Sequence, residues 1–542
     1  MRAPSLVATA CRAAAVALAT AVAVPVATAA AQPADTTRWD LLIVGGTVVD
    51  GTGAPRRRAD VAIRGDRVVA VSATPLSRQR ARRVIEAAGL MVAPGFIDLH
   101  AHIEPLLDQP DAMSHVRQGV TLALGWPDGG GPLGSWRGYA DSVARTPLGM
   151  NVAYLVGHNA VRREVLGTIA RAPSADELAR MVRMVDEAMD AGAFGLSTGL
   201  RYVPGYYATT DEVVTLAQAA AAKGGIYTSH LREEGRGIFE GVGEALEIGR
   251  RARIPVVLTH HKVIGQPVWG LSVKTLAMVD SARAAGTDVM MDQYPYTASS
   301  TSLSVLIPPW ALAGGDSAFA RRLADPVLRD SILKGVVEYL DTDRGGGDVR
   351  RVQFASVRWD RSLEGKTLAD WADRRGLPRT SVATAPLVVE GQKNGGASMV
   401  FHAIDEGDVR RIMAHPMTMI ASDGRLTRPG DGVPHPRAYG TFPRVLGEYV
   451  REQQVLSLEA AVRKMTGMPA ARLGLADRGC LRAGCVADVT LFDPARVRDA
   501  ATFTDPHHYA EGIPWVIVNG VPVVADGAPT PARPGRLLRR AR

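Results

Sequence analysis

His100 and His102 stand two positions apart at the end of an apolar run that starts at Phe96. Alternate residues of a strand point to the same side, so both imidazoles can face one space. Three further runs end in side chains of the same kind: Ser229-His230-Leu231-Arg232, Thr259-His260-His261-Lys262 and Ser422-Asp423-Gly424. Imidazoles with a carboxylate are the donors zinc takes in hydrolytic centres, where the ion acts as a Lewis acid and a carboxylate moves protons. A single histidine at a strand end says little, because such a residue is more often merely hydrogen-bonded. Yet the chain has only 12 histidines. Four of them at strand tips, with an aspartate closing the last, form a joint pattern that one metal centre explains.

Those tips need strands to carry them. Between residues 94 and 475, eight short apolar runs recur with helix-compatible stretches between them. They end near Leu99, and at Ala123-Leu124, Leu155-Val156, Gly195-Leu196, Tyr227-Thr228, Val257-Leu258, Met290-Met291 and Ile420-Ala421. This alternation predicts an α/β protein, a (β/α)8 TIM barrel, whose active site lies at the C-terminal ends of its strands. More than a hundred residues separate Tyr296 from Asp423, so a long insert, about 301–415, is expected between strands 7 and 8 with structure of its own. It reads as a lid or specificity element or as decoration. Residues 39–93 and 476–530 alternate short apolar runs with turn signals such as Gly45-Gly46, Gly65-Asp66 and Asn519-Gly520. These two ends predict one small β-sandwich.

Residues 1–31 carry Arg2 and Arg12, an apolar stretch from Ala13 to Val26, and small residues from Ala27 to Ala31, the order of a cleaved export signal. The alternative, a membrane anchor, is disfavoured because the stretch is shorter than the roughly 20 residues a spanning helix needs and Pro25 interrupts it. Cys11 precedes the apolar stretch, so it is not a lipid-anchor cysteine. A periplasmic or secreted protein without a stable membrane anchor is expected. Loss of the leader lowers the formal charge from +8 to +6. The remaining positive residues are scattered apart from the tail 531–542, which reads as a solvated basic end, and no motif that reads nucleic acid accompanies them. Cys480 and Cys485 are left, either paired or as buried thiols; two cysteines do not make a disulfide scaffold.

The segment Pro94-Gly95-Phe96-Ile97-Asp98-Leu99-His100-Ala101-His102 resembles the opening metal motif of the amidohydrolase superfamily. Gly195-Leu196-Ser197-Thr198-Gly199-Leu200, Ser229-His230-Leu231-Arg232, His260-His261-Lys262, Tyr294-Pro295-Tyr296 with Ser300-Thr301, and His435-Pro436-Arg437 through Phe442-Pro443-Arg444 resemble its D-aminoacylase branch. The likeness runs from about Leu41 to about Asp526. It implies hydrolysis of N-acyl-D-amino acids, with a tightly held zinc on His230 and His260 and a weaker second site lined by His100, His102 and Asp423. Asp423 would be the catalytic base, and Lys262, Tyr294 and Ser300 would hold the substrate carboxylate, with Arg437 as a further substrate-binding candidate. The expected partner is a small N-acylated amino acid or short peptide; the oligomeric state stays open.

Several positions carry two readings. Only seven of the 63 basic residues are lysine, so Lys262 beside a candidate ligand is noticeable, though it also fits an ordinary polar strand end. No lysine lies between His102 and Lys223, which argues against a carboxylated-lysine bridge and weakens hydantoinase and dihydroorotase readings. D-aminoacylases place a cysteine ligand after strand 2, whereas Leu124-Gly125-Trp126-Pro127-Asp128-Gly129 has none. Asp128 either supplies an oxygen ligand, giving a harder site more open to manganese, or serves the Pro-Asp-Gly turn. His158 either faces the site or is buried and hydrogen-bonded. The rival functions are a dipeptidase or cyclic-amide hydrolase of the same superfamily and, outside catalysis, an exported binding protein on an inactive barrel.

Overall fold

The computed structural model describes residues 38–132 and 134–540. The expected leader, with Cys11, lies outside the described residues, as does Arg542. Each of the eight runs forms a strand: β1 (Phe96–Asp98), β2 (Val120–Gly125), β3 in two pieces (Asn151–Tyr154 and Val156–Gly157), β4 (Gly195–Gly199), β5 (Ile226–His230), β6 (Val256–Leu258), β7 (Val289–Gln293) and β8 (Thr418–Ile420). Successive strands pair in parallel from β1 to β8. Directly after β8 and β1, Gly424–Arg425 pairs in parallel with Ala101–His102, and the Asp423 amide donates to the His100 carbonyl at 2.8 Å.

Period-two alternation sorts each strand's side chains between two cores. Ile97, Leu122, Leu124, Ala153, Ile226, Val257 and Met419 meet in one cluster. Their neighbours Leu196, Tyr227, Val256, Leu258 and Met291 pack instead against helices. His230 follows Ile226 by four residues and so takes the inner side with it. The helix Ala175–Asp190 shows how the outer layer forms. Ser174 and Glu177 make a reciprocal capping box at its start, worth about 1 kcal/mol. Met181, Val185, Ala188 and Met189 bury one stripe, and Gly192, at φ +104°, follows its end.

The long insert has its own architecture. Ser299–Ser302, Ser398–Phe401 and Val352–Ser356 form a three-stranded antiparallel sheet, packed over a separate core that includes Leu303, Phe319, Val336, Phe354, Trp371 and Val388. Strands from both chain regions flanking the parallel series join in one nine-stranded sheet, where Val489–Phe492 pairs antiparallel with Met91–Pro94. Cys480 and Cys485 form a disulfide.

The basic tail is not a solvated end. The Val152 amide donates to the Arg536 carbonyl at 2.9 Å, the Leu538 amide to the Val152 carbonyl at 2.7 Å, and the Arg540 amide to the Gly192 carbonyl at 3.0 Å. Arg536 reaches Asp66 at 2.8 Å and Arg539 reaches Asp141 at 2.7 Å. Leu537 and Leu538 supply the apolar contact that the arginines between them disguised. Among the described residues no helix is long and apolar enough to cross a membrane.

Candidate active site

The strand tips converge. His100, His102, Asp128 and Asp423 place one ligand atom each within a common 4.8 Å, and Asp128, His230 and His260 form a second such group. Asp128 belongs to both. Its Oδ2 lies 3.4 Å from His100 Nε2, 3.7 Å from His102 Nε2 and 3.8 Å from His230 Nδ1, while Oδ1 lies 3.5 Å from His260 Nε2. Asp423 Oδ1 is 3.2 Å from His102 Nε2 and 3.5 Å from His100 Nε2.

Asp128 sits in a turn closed by the Gly130 amide on the Pro127 carbonyl at 2.8 Å, but its carboxylate does not serve that turn. Ser197 Oγ of β4 donates to the Trp126 carbonyl at 2.7 Å and accepts from the Gly129 amide at 3.2 Å, so β4 pins this loop. The Asp128 carboxylate makes no hydrogen bond to the turn, and its Oδ1 is buried without a partner. Asp128 (φ +54°), His260 (φ +37°) and Asp423 (φ +49°) also occupy the left-handed region, which costs a non-glycine residue about 1–2 kcal/mol. Strain held at three converging side chains marks a site the rest of the fold enforces.

These residues fit a divalent metal. His100 Nε2, 3.4 Å from Asp128 and 3.5 Å from Asp423, and Asp128 Oδ1 are buried without hydrogen-bond partners, whereas buried polar atoms are otherwise nearly always paired. A carboxylate stands behind each imidazole: Asp292 Oδ1 3.9 Å from His100 Nδ1, Glu104 Oε1 3.1 Å from His102 Nδ1, Glu234 Oε1 3.3 Å from His260 Nδ1, and Glu234 Oε2 3.6 Å from His230 Nε2. Such outer carboxylates fix the ring orientation of ligand histidines.

The electrostatics agree. Burial pushes the Asp128 carboxyl up, but His100 and His260 outweigh it and hold it well below the usual range. Burial likewise opposes ionisation of Asp423, which Arg437 and His100 restore. Glu234 is held low against its burial by Lys262 and His230. His230, chiefly through burial, falls to about 4. His260, despite burial and Lys262, rises to about 9 because Asp128 and Glu234 face it.

A cleft of about 1420 Å³ opens over this cluster. Lys262, Tyr294, Ser300 and Arg437 all line it. Lys262 Nζ sits 2.5 Å from Glu234 Oε1 and 5.7 Å from the Tyr294 ring centre. Arg437, opening the helix Arg437–Arg444, lies 4.7 Å from the same ring and 2.7 Å from Asp423 Oδ2. Tyr294 Oη is buried without a partner; Ser300 Oγ donates to the Met399 carbonyl at 2.8 Å.

His158 does not reach the site. It opens the helix His158–Leu166, where its Nε2 meets Glu212 at 2.8 Å, and Arg162 binds the other oxygen of the same carboxylate. It is a structural buried histidine. Lys223 ends the helix Thr210–Ala222 and meets Asp190, so β4 brings no lysine to the cluster.

Sequence reasoning missed Glu234, Asp98 and Asp292. Glu234 follows His230 by four residues and could have been noticed by that spacing. Asp98 lies within the opening motif; it accepts the Ser422 amide at 2.9 Å and the Ser422 hydroxyl at 2.5 Å, joining β1 to the Asp423 loop. Asp292 accepts the His260 amide at 2.6 Å and holds that strained residue in place.

Residues 332–524 match the model of the Amidohydrolase family. The D-aminoacylase of Alcaligenes xylosoxydans xylosoxydans is 40% identical over 529 residues, covering 93% of this chain and 99% of that one. The chain belongs to the D-aminoacylase family of amidohydrolases. The N-acyl-D-glutamate deacylase of the same organism is also 40% identical, over 92% of this chain and 96% of its own length. Among solved structures, the N-acyl-D-glutamate deacylase of Bordetella bronchiseptica, complexed with zinc and a phosphonate mimic of the tetrahedral intermediate, superposes with a TM-score of 0.79 at 36% identity. That match covers 93% of this chain and all of that one. Within the D-aminoacylase family, then, this chain presents the Asp128 carboxylate where the motif resemblance implies a thiolate.

Proposed function

We propose that this protein hydrolyses the amide bond of N-acyl-D-amino acids, releasing a carboxylate and a free D-amino acid, with zinc as its metal. The observation that carries this reading is the meeting of two ligand groups at Asp128, under a cleft whose wall holds Lys262, Tyr294 and Arg437. His230, His260 and Asp128 would hold one ion, and His100, His102, Asp128 and Asp423 a second, weaker one. When bound, zinc supplies Lewis acidity toward the scissile carbonyl and makes water easier to deprotonate.

The protein's own groups do the rest. Arg437 holds Asp423 Oδ2 and keeps the carboxylate ionised, leaving Oδ1 to accept a proton from the attacking water. Asp423 returns that proton to the departing amine, which must leave neutral. Lys262, Tyr294 and Ser300 fix the adjacent carboxylate and so orient the amide. The preference for the D series rests on the relatives.

The parallel series β1–β8, linked on through Gly424–Arg425 and Ala101–His102, is in our reading a (β/α)8 barrel spanning 94–475, with a sandwich formed from 39–93 and 476–530. We further propose export with cleavage near Ala31, which N-terminal sequencing of the native protein tests. The function is tested by assaying free amino acid from paired N-acetyl-D and N-acetyl-L substrates, dipeptides and hydantoins, before and after chelation. Metal-dependent release from the D series is expected. Release from dipeptides or hydantoins alone would move the protein to another reaction of the superfamily, and a metal-free, inert protein would make it a binding protein.

A further inference from the structure

Among the described residues, the cleft wall carries one buried cation with no ion-pair partner. Arg344, at the end of the turn Leu340–Arg344 in the insert, is 3% exposed and lines the cleft. Its Nη1 reaches only Ser299 Oγ, at a long 3.5 Å. Its guanidinium carbon lies 5.5 Å from the Phe401 ring centre, and its Nε is buried with no acceptor. The other two buried cations of this wall are matched, Lys262 by Glu234 at 2.5 Å and Arg437 by Asp423 at 2.7 Å. The neighbouring Glu233 is engaged by Arg201 at 3.3 Å. Among the described residues Arg344 takes part in no ion pair within 4.0 Å.

A buried guanidinium without a counter-ion is unfavourable, and a carboxylate that can accept its fork of donors relieves it. Position decides which carboxylate. Arg344 reaches Ser299, which precedes Ser300, one of the groups assigned to the substrate's α-carboxylate, and it shares the cleft wall with Ser300 and Tyr294. Arg344 therefore belongs to the amino-acid half of the cleft. With Lys262, Tyr294 and Ser300 engaged by the α-carboxylate, a second anion is needed to meet Arg344.

We infer that Arg344 binds a side-chain carboxylate, making acidic N-acyl-D-amino acids, of the glutamate or aspartate type, the preferred substrate class. This rests on the deacylase function proposed above. Arg344 is a specificity residue: it touches substrate remote from the scissile bond.

The test compares kcat/KM for N-acetyl-D-glutamate with its neutral isostere N-acetyl-D-glutamine and with N-acetyl-D-leucine, in the zinc-loaded wild type, Arg344→Met and Arg344→Lys. The wild type should favour glutamate over glutamine by about a hundredfold, because the neutral amide leaves the guanidinium unmatched. Arg344→Met should bring that ratio near unity, chiefly through KM; Arg344→Lys should restore part of the ratio. A wild type that favours glutamine or leucine overturns the inference. So does an Arg344→Met protein that loses all three substrates equally, since Arg344 would then hold the α-carboxylate or the shape of the cleft. Should Arg344→Met not fold, the wild-type ratio and Arg344→Lys decide. No release from any D substrate would instead refute the deacylase function itself, and this inference with it.

Discussion

The two ends of the parallel strands bury polar groups in opposite ways. At the start of β3, Asn151 donates to the Thr121 carbonyl at 3.1 Å and to Asp488 at 3.2 Å, and it accepts from Asn519 at 2.7 Å and from the Arg536 amide at 3.1 Å. Asp488 also takes the Asn519 amide at 2.7 Å and the Arg478 guanidinium. None of the side-chain atoms of Asn151, Arg478, Asp488 or Asn519 is among the buried unpaired ones. At the other end, His100, Asp128, His230 and Tyr294 all contain such atoms. A closed network stabilises the scaffold; an open one is stabilised only when something binds. That division places chemistry at the C-terminal ends and structure at the N-terminal ends.

Substitutions can break this contrast. The largest effect is expected from Asp423→Asn, which should lower kcat by about 10³–10⁴ while leaving the ion on His230, His260 and Asp128 and the melting temperature near wild type; appreciable turnover in the variant would remove Asp423 as the base. Asp488→Ala should leave Arg478 buried and uncompensated, costing about 3–5 kcal/mol in denaturant unfolding, yet its folded fraction should load metal normally. If Asp488→Ala lost metal instead, the two ends would not be separable. Lys262→Ala should raise KM for N-acyl-D-amino acids about tenfold or more with a smaller change in kcat, and an amide lacking the carboxylate should be indifferent to it.

The contrast also has a pH dependence. His260 in the metal-free site holds its proton up to about pH 9, and a metal ion must displace that proton. Affinity should therefore tighten about tenfold per unit as pH rises from 6 toward 9, for each proton released. Titration calorimetry at several pH values, in buffers of different ionisation enthalpy, counts the protons; a pH-independent affinity would mean that His260 is not a ligand.

The strand-tip histidines and Asp423 were legible because a ligand at the end of an apolar run leaves a period-two trace. Asp128 was half legible: its residue type allowed both a turn and a ligand, and only its convergence with histidines from distant strands favours the ligand. His158 misled because it too follows a strand, but the helix it opens turns it toward Glu212. Glu234, Asp292 and Arg344 depend on where loops come to rest, which residue spacing does not record. The tail misled through its arginines, since charge suggested solvent while Leu537 and Leu538 set its course against β3.

The carboxylate at Asp128 also bears on durability. Neither ligand group contains sulfur, and the two cysteines of the described chain are already joined to each other. Peroxide and thiol-alkylating reagents attack a thiolate bridge directly, because sulfur is the nucleophile that they consume. Here they find no such target at the centre, so this enzyme should keep working under oxidising conditions in which a sulfur-bridged one fails.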